Sequence, residues 1–389
     1  MYRVLTPITV AAAFFLVTAT VGAQEKLKIG LIYSLSGPPG VLGQQSKNGF
    51  ELALKDLGGK IGGRDVELFI VDDELKPDVA IQKVTGLIER DRVDFIVGPI
   101  FSNVLQAIHK PVMDAGKILI STNAGTSSFA GGACNPDFFV TSYQNDQIFE
   151  TIGTVAQNRG YKRVYVLVPN YQAGKDASAG FKRAYKGEIV EESLIPLNTL
   201  DFQSELSKLN SLKPDALFTF MPGGLGIGLI KQFNQAGLKD RIPILSAFTA
   251  DEATLPVLQD AALGIFGALT WAPNTDNPQN KKFVAAYETA YNAVPASYAM
   301  QAYDAAMLID SAVRSVKGNL SDRNALRAAL KKADFKSLRG SFKFNINGYP
   351  IQDFYLTKVA KRADGKFQTE IVEKVLTNNA DRYAKDCKP

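Results

Sequence analysis

Residues 26–34 read KLKIGLIYS, and this alternation of apolar side chains predicts a β-strand. The loop SGPPG follows the strand and leads into a helix predicted over residues 42–57. A glycine-rich turn, GGKIGG at 58–63, then precedes a second strand predicted over 65–71. A strand, a helix and a second strand in this order indicate a parallel sheet whose two faces are covered by helices.

The strand–helix alternation continues through most of the 389 residues, a length that suits two domains better than one. In the first half it predicts helices at 77–90 and 102–114 and strands at 94–97 and 117–120. It restarts beyond residue 145, after the extended segment FFVTSY, with strands predicted at 164–168, 189–194, 216–220, 242–245 and 265–271. Two helices at 279–293 and 298–316 and antiparallel strands at 341–344, 353–359 and 369–375 complete the chain. The predicted fold class is α/β, with two lobes whose loops face each other across a cleft.

The first 23 residues have the character of a secretory signal peptide. Arg3 precedes an apolar stretch from Val10 to Val17, and the segment ends in small residues, so cleavage is predicted after Ala23. A membrane anchor is the alternative, but the apolar stretch is shorter than the roughly 20 residues that a bilayer requires. We therefore expect an exported mature protein.

Composition excludes several classes of function. Lysine and arginine number 44 against 39 acidic residues, and the net charge of +5 is spread without long basic runs, which argues against nucleic-acid binding. The single histidine, His109, is too few for a zinc enzyme or a histidine-based triad, so we predict no metal, no cofactor and no catalytic residue. The two cysteines, Cys134 and Cys387, are expected to pair in an oxidising compartment, with two free thiols as the alternative.

Two predicted loops at the edge of the first sheet carry small polar residues that suit an anion. They read GPIFSN at 98–103 and STNAGTS at 121–127, and each follows a strand. Free backbone N–H groups at such positions can bind a carboxylate without a cation. Plain N-capping by Ser102 and by Thr126 or Ser127 is the alternative interpretation.

A glycine-rich segment, MPGGLGIG at 221–228, lies between a predicted strand and a predicted helix. It lacks the G-x-G-x-x-G spacing of a dinucleotide site, so we interpret it as a turn without cofactor chemistry.

Several segments, in order along the chain, resemble the leucine/isoleucine/valine-type solute-binding proteins of ABC importers. They are KIGLIYSLSGPPGVLGQQSKNGFELAL, IGGRDVELFIVDDE, FIVGPIFSN, ILISTNAG and PNYQAGKDASAGF. The resemblance implies the type I periplasmic binding fold, in which two Rossmann-like lobes joined by a three-segment hinge close on a ligand. It implies lobe 1 at 24–143 and 273–339, lobe 2 at 144–272 and 340–376, a C-terminal tail at 377–389, and crossovers near 139–145, 271–274 and 338–341.

The resemblance also implies a set of ligand-binding residues. In the family's amino-acid binders, a first-lobe serine and main-chain N–H groups hold the ligand carboxylate, and the matching positions are Ser102, Asn123 and Gly125. Gly125 stands where the family has a hydroxyl residue, so that contact would come from the backbone or from Thr126. The full predicted set is Ser102, Asn123, Gly125, Thr126, Phe101, Tyr143, Gln144, Tyr171, Met221, Phe248 and Tyr298.

Two departures from the amino-acid binders bear on the ligand. Phe248 stands where those proteins have an acid that pairs with the ligand's ammonium group, and Ala173 replaces an aromatic residue. Burying an ammonium without a counterion costs several kcal/mol, so the change at Phe248 argues against an α-amino acid. The segments WAPNTDNPQNKKFVAAYETAY and VPASYAMQAYDAAML resemble the subgroup that binds aromatic carboxylates such as benzoates and phenylpropenoates.

The predicted function is that of a periplasmic solute-binding protein, a monomer, that captures a small aromatic carboxylate and delivers it to an ABC import permease. A branched-chain amino acid or amide binding protein of the same transporter class is the alternative. An enzyme on this scaffold would need an acid–base or nucleophile set, whereas the predicted cleft offers only tyrosine, serine and asparagine. The sensing domain of a receptor is a further alternative, but it would need a membrane-spanning or signalling segment after Ala23, and the sequence predicts none there.

Overall fold

The computed structural model describes Tyr2 and residues 25–388. Apart from Tyr2, the predicted signal peptide and its cleavage site lie outside the described residues. Within the part of the chain that is described, no helix combines the length and the apolar character needed to cross a bilayer.

The first half of the chain is built around a six-stranded sheet. Its elements are β1 (Leu27–Tyr33), α1 (Gly40–Asp56), β2 (Lys60–Ile61), β3 (Arg64–Asp72), α2 (Pro77–Glu89), β4 (Phe95–Val97), α3 (Ser102–Asp114), β5 (Ile118–Ser121) and β6 (Phe138–Val140). The strand order is β2-β3-β1-β4-β5-β6. All neighbours pair in parallel except β2, which forms an antiparallel hairpin with β3.

The second half is built around an eight-stranded sheet. It begins with α4 (Asn145–Asn158), β7 (Arg163–Pro169), α5 (Gln172–Ala184), β8 (Glu188–Ile195), α6 (Gln203–Leu212), β9 (Ala216–Thr219), α7 (Gly224–Gln235), β10 (Ile244–Ser246), α8 (Leu255–Leu258) and β11 (Phe266–Leu269). Next come α9 (Pro278–Tyr291), α10 (Ser297–Ser315), α11 (Arg323–Lys332), β12 (Lys343–Phe344), β13 (Pro350–Lys361) and β14 (Phe367–Asn379). The strand order is β12-β13-β11-β10-β9-β7-β8, with β14 on β13. Strands β7 to β11 are parallel, whereas β12, β13 and β14 add antiparallel pairs.

Helices α9 and α10 return to the first sheet instead of covering the second. Tyr287 Oη donates to Gln45 Oε1 of α1 at 2.8 Å. Gly49 of α1 lies so close to α10 that an added Cβ would be 2.0 Å from the carbonyl oxygen of Ala299. The chain therefore passes between the two halves three times: after β6, between β11 and α9, and between α11 and β12. We call the six-stranded sheet with α9 to α11 the first lobe and the eight-stranded sheet the second lobe; this two-lobed arrangement confirms the predicted fold class.

Element boundaries differ from the prediction at a few places. Helix α1 begins at Gly40, before the predicted start. A glycine is needed there because a Cβ at residue 40 would lie 2.6 Å from the carbonyl oxygen of Leu35. Strand β14 extends beyond the predicted 369–375 at both ends because β13 supplies pairing partners from Phe367 to Asn379.

The third connection carries a buried ion pair that joins several parts of the hinge. Arg339 Nη2 lies 3.0 Å from Asp304 Oδ2 of α10, and both side chains are almost fully buried. Nη1 of the same arginine donates to the carbonyl of Ser142, in the first connection, at 3.1 Å and to Gln352 Oε1 of β13 at 2.9 Å. Arg339 therefore links two of the three connections to both lobes.

The C-terminal segment is tied back to both lobes. Cys134 and Cys387 form a disulfide bond, which confirms the predicted pairing. Tyr383 Oη donates to Asp146 Oδ2, at the start of α4, at 2.6 Å. The residues after β14 therefore hold a first-lobe loop and a second-lobe helix at once, next to the first connection.

Candidate ligand-binding site

The loops after strands β4, β5, β7, β9 and β10 meet where the two lobes face each other. Each loop begins at the carboxyl end of a parallel strand, which is where open α/β sheets bind ligands. Phe101, of the first lobe, and Tyr171, of the second, have ring centroids 6.2 Å apart. The candidate site is therefore the cleft between the lobes.

Phe248 is the centre of an aromatic cluster in this cleft. Its ring stacks on Tyr143, of the first connection, with centroids 5.3 Å apart and an interplanar angle of 19°, and lies 5.8 Å from the ring of Tyr298 at the start of α10. All three side chains are buried. Phe248 has a φ of 55°, which is rare for a bulky residue and typical of sites where backbone strain is retained for function. Three segments of chain thus line the cleft with aromatic rings.

Tyr171 extends the aromatic lining. It lies between Phe101 and Phe220, whose ring centroid is 6.3 Å from its own. Burial raises the pKa of Tyr171, as it does for Tyr143 and Tyr298, above the usual 10.0. The three hydroxyl groups therefore stay protonated at neutral pH. Tyr143 donates its proton to Asn123 Oδ1, so the hydroxyl groups of Tyr171 and Tyr298 remain as donors for a ligand.

Ser102 provides a hydroxyl group in the same cleft. It is buried at the start of α3, where Phe101 and not Ser102 occupies the N-cap position. Its Oγ accepts a hydrogen bond from Asn145 Nδ2 at 3.2 Å, the single partner recorded for it among residues 25–388. Because that bond uses an acceptor lone pair, the hydroxyl proton is free to be donated to an anion.

Asn145 holds the first connection together. Its backbone N–H donates to the carbonyl of Gly125 at 2.7 Å, and its Oδ1 accepts from the Gly125 N–H at 3.1 Å. Its Nδ2 donates to Ser102 and also to Asp176 Oδ2 of α5 at 2.9 Å. Asp176 also accepts from Ser127 Oγ of the first lobe at 2.7 Å. This network fixes the orientation of Ser102 and joins the two lobes beside the hinge.

Gly125 and Thr126, both in the predicted set, have their polar groups engaged within the protein. A Cβ at Gly125 would lie 1.7 Å from the carbonyl oxygen of Tyr143, so a larger residue does not fit without backbone movement. Thr126 Oγ1 accepts from the N–H of Ser128 and acts as an N-cap, while its carbonyl accepts from Tyr349 Oη at 2.7 Å. The N-capping interpretation thus describes Thr126 but not Ser102.

Asn123 is fixed by its neighbours and in turn orients an aromatic ring. Its Nδ2 donates to the carbonyl of Ile100 at 2.8 Å, and its Oδ1 accepts from Tyr143 Oη at 3.2 Å. The side chain therefore sets the position of the Tyr143 hydroxyl in the cleft.

The remaining two members of the predicted set are buried. Gln144 donates through Nε2 to Asp146 Oδ1 at 3.2 Å. Met221 is fully buried, and its N–H donates to Thr249 Oγ1 at 2.9 Å, which joins the loops after β9 and β10.

The glycine-rich turn after β9 touches the loop after β1 across the cleft. The N–H of Gly224 donates to the carbonyl of Pro38, in the SGPPG loop, at 3.2 Å. A Cβ at Gly224 would lie 2.7 Å from Pro38 Cβ, so a bare backbone is required for this approach. The lobes are therefore in direct contact at the cleft in this structure.

A family model described as "Periplasmic binding protein" matches residues 26–366. The chain belongs to this family. The chain is 29% identical over 375 residues to "Leu/Ile/Val-binding protein homolog 6" of Brucella melitensis. The alignment covers 93% of this chain and 95% of that protein.

Solved structures resemble this periplasmic binding protein over nearly its whole length. One is the solute-binding protein of an ABC transporter from R. palustris in complex with benzoate: 34% identity, TM-score 0.89, covering 94% of this chain and 100% of that one. Another is the solute-binding protein of an ABC transporter from Rhodopseudomonas palustris BisB5 in complex with 3,4-dihydroxy benzoic acid: 31% identity, TM-score 0.84, covering 91% and 98%.

Three residues of the cleft escaped the sequence reasoning: Asn145, Asp176 and Asp251. The sequence marks Asn145 only as the end of the first crossover, although an amide at the first helical residue after a connection is well placed to form hydrogen bonds with both lobes. Asp251 lies three residues after Phe248, in the same loop after β10, and is almost fully buried. A carboxylate so close in sequence to a predicted cleft residue was the available signal.

Replacing Gly224 by alanine is expected to weaken ligand binding without destabilising the ligand-free protein. The added methyl group collides with Pro38 only when the lobes are closed, and such overpacking costs about 1–3 kcal/mol. The dissociation constant should therefore rise by roughly 5- to 150-fold in isothermal titration. Gly228→Ala, on the same helix, is the control, because its nearest contact is one ring atom of Phe202 at 3.3 Å. Equal affinities for the two variants would mean that the lobes do not meet at Gly224 in the bound state.

Proposed function

We propose that this protein captures an aromatic carboxylate of the benzoate type by closure of its two lobes and delivers it to the permease of an ABC importer. The observation that carries the proposal is the aromatic cluster of Tyr143, Phe248 and Tyr298 beside the free hydroxyl proton of Ser102. Together they offer an aromatic lining for a ring and a donor for an anion. The benzoate complex of a 34% identical protein supports this ligand class.

The carboxylate end of the ligand is assigned to the first lobe. Ser102 donates its hydroxyl proton, and Asn145 keeps that hydroxyl oriented by donating to its oxygen. The protonated hydroxyl groups of Tyr171 and Tyr298 supply further donors in the cleft. No cation is required, since neutral donors stabilise a buried carboxylate when their dipoles point towards it.

The ring of the ligand is assigned to the aromatic cluster. Phe248 replaces the acid that amino-acid binders use, so the space near it favours an uncharged ring over an ammonium group. Offset stacking on aromatic side chains contributes about 0.5–1.5 kcal/mol beyond the burial of area.

The same proposal includes the location of the protein, its oligomeric state and the residues of each lobe. The protein is exported, with cleavage after Ala23, and acts in the periplasm as a monomer. The lobes comprise residues 24–143 with 273–339 and residues 144–272 with 340–376. The protein returns its ligand unchanged, so it is not an enzyme, and it has no nucleic-acid partner.

A branched-chain amino acid or amide is the second candidate ligand. The Leu/Ile/Val-binding name of the 29% identical relative favours it, and so does Asp251, a buried acid close to Phe248. A thermal-shift screen over benzoates, cinnamates, leucine and leucinamide distinguishes the two. Ligand at about 1,000 times its dissociation constant adds roughly 4 kcal/mol to stability, which is easily detected. Mass spectrometry of the ligand recovered from the complex then shows whether it is unchanged.

Replacing Ser102 by alanine should weaken aromatic carboxylate binding by about 1.5–3 kcal/mol, the range for a hydrogen bond to a charged group. In isothermal titration this is a rise in the dissociation constant of roughly 10- to 150-fold. Ser178→Ala is the matched control, because Ser178 is equally buried but donates to Glu192 of β8. Wild-type affinity in Ser102→Ala would place the carboxylate at another group.

A further inference from the structure

Asp251 is a buried acid whose carboxylate is only half satisfied. It lies in the loop between β10 and α8 and is 1% exposed. Its Oδ1 accepts a hydrogen bond from the N–H of Ala253 at 3.0 Å. Its Oδ2 is buried and has no hydrogen-bond partner within residues 25–388, and no salt bridge in that part of the chain involves Asp251. A buried carboxylate oxygen without a donor is unfavourable unless something else supplies one.

The unpaired oxygen lies beside the aromatic cluster of the cleft. Phe248, three residues earlier in the same loop, contacts both Tyr143 and Tyr298. The Asp251 carboxylate is near enough to raise the pKa of both tyrosines beyond the larger effect of their burial. Burial raises the pKa of Asp251 itself to about 6, so the group is ionised and accepts only at neutral pH. The missing partner must therefore be a donor.

We propose that Asp251 recognises a hydroxyl group on the ligand's ring, and that the preferred ligand is an aromatic carboxylate hydroxylated opposite its carboxyl group. The inference rests on the proposed function, which assigns the carboxylate to Ser102. Ser102 follows a strand of the first sheet and Asp251 a strand of the second, so a ligand that joins them presents an acceptor at one end and a donor at the other. The aromatic surroundings favour a phenolic hydroxyl on a ring over an ammonium group as that donor.

The neighbouring acid provides a matched control. Glu252 is also buried, and its Oε2 also lacks a hydrogen-bond partner among residues 25–388. Its Oε1 accepts from the N–H of Thr369 at 2.6 Å and from Thr369 Oγ1 at 2.7 Å, on β14. Glu252→Gln and Asp251→Asn both replace a buried carboxyl group of the same loop by an amide without changing the size of the side chain. They differ in position: the Asp251 carboxylate lies close to Tyr143 and Tyr298 in the cleft, whereas the Glu252 carboxylate is bonded to β14.

Isothermal titration of benzoate and 4-hydroxybenzoate, at neutral pH, into the wild type and both variants tests the proposal. The wild type should bind 4-hydroxybenzoate at least about tenfold more tightly than benzoate, because a hydrogen bond to a buried charge has roughly that effect. Asp251→Asn should remove most of this preference by weakening 4-hydroxybenzoate about tenfold while benzoate stays within about threefold. Glu252→Gln should keep the preference.

Three results would overturn the role of Asp251: equal affinities of the wild type for the two ligands, equal losses for both ligands in Asp251→Asn, or the same loss of preference in Glu252→Gln. Failure of the proposed function looks different, because neither aromatic acid would then bind the wild type at all. If leucine alone bound, and bound less tightly to Asp251→Asn, the donor that Asp251 recognises would be an ammonium group and the hydroxyl assignment would be wrong.

Discussion

Replacing Arg339 by methionine should lower the free energy of unfolding by about 3–5 kcal/mol, the effect of leaving a buried charge without its partner. Asp304 would keep its hydrogen bonds from Ser337 Oγ, at 2.5 Å, and from the N–H of Leu338, at 3.1 Å, but would lose its counterion in the protein interior. The carbonyl of Ser142 would also lose a donor. Chemical denaturation followed by circular dichroism measures the loss.

The double variant Arg339→Met with Asp304→Asn separates charge from packing. The amide removes the unpaired charge while its oxygen still accepts from Leu338, so the double variant should be more stable than Arg339→Met alone. Lys110→Met, which breaks the exposed pair with Asp114, should change stability by less than about 1 kcal/mol. A loss of that small size in Arg339→Met would show that the buried pair does not hold the hinge.

Replacing Cys387 by serine should lower the free energy of unfolding by about 2–5 kcal/mol, the usual effect of removing a native disulfide. The bond joins positions 253 residues apart, so it restricts the unfolded chain strongly. The melting temperature should fall by several degrees, whereas ligand affinity should change by no more than a few-fold, since the bond lies outside the cleft.

Cys134→Ser and the double serine variant complete this test. All three variants should be destabilised by similar amounts, because each lacks the same bond. Intact mass before and after alkylation checks that the wild type has no free thiol. A large loss of affinity in Cys387→Ser would instead mean that the C-terminal segment, through Tyr383 and Asp146, sets the balance between open and closed lobes.

The architecture could be predicted because it follows from regular patterns. The alternation in KLKIGLIYS, the GGKIGG turn and their repetition specify parallel strands separated by helices, and the observed β1, α1 and β3 agree with the prediction within a few residues. The disulfide could be predicted because only two cysteines are present in the chain. The fold follows from local sequence patterns, and the disulfide follows from the number of cysteines.

The detailed site depends on distances that no local pattern encodes. Gly125 matches a ligand-binding position of the family, but its N–H donates a hydrogen bond to Asn145 Oδ1, twenty residues later in the chain. That pairing exists only because the chain turns back at the first connection. In the same way the loss of an acid at Phe248 was visible in the sequence, whereas the buried, unpaired oxygen of Asp251 depends on how the loop after β10 folds.

The central claim, that the cleft takes an aromatic carboxylate rather than an amino acid, is tested most directly by isothermal titration of the ligand-free protein. Protein unfolded, dialysed and refolded to remove carried-over ligand would be titrated in parallel with 4-hydroxybenzoate, benzoate and leucine. We predict that the better aromatic acid binds at least about tenfold more tightly than leucine, with one site per chain. Leucine binding as tightly as the better aromatic acid, or more tightly, would contradict the account.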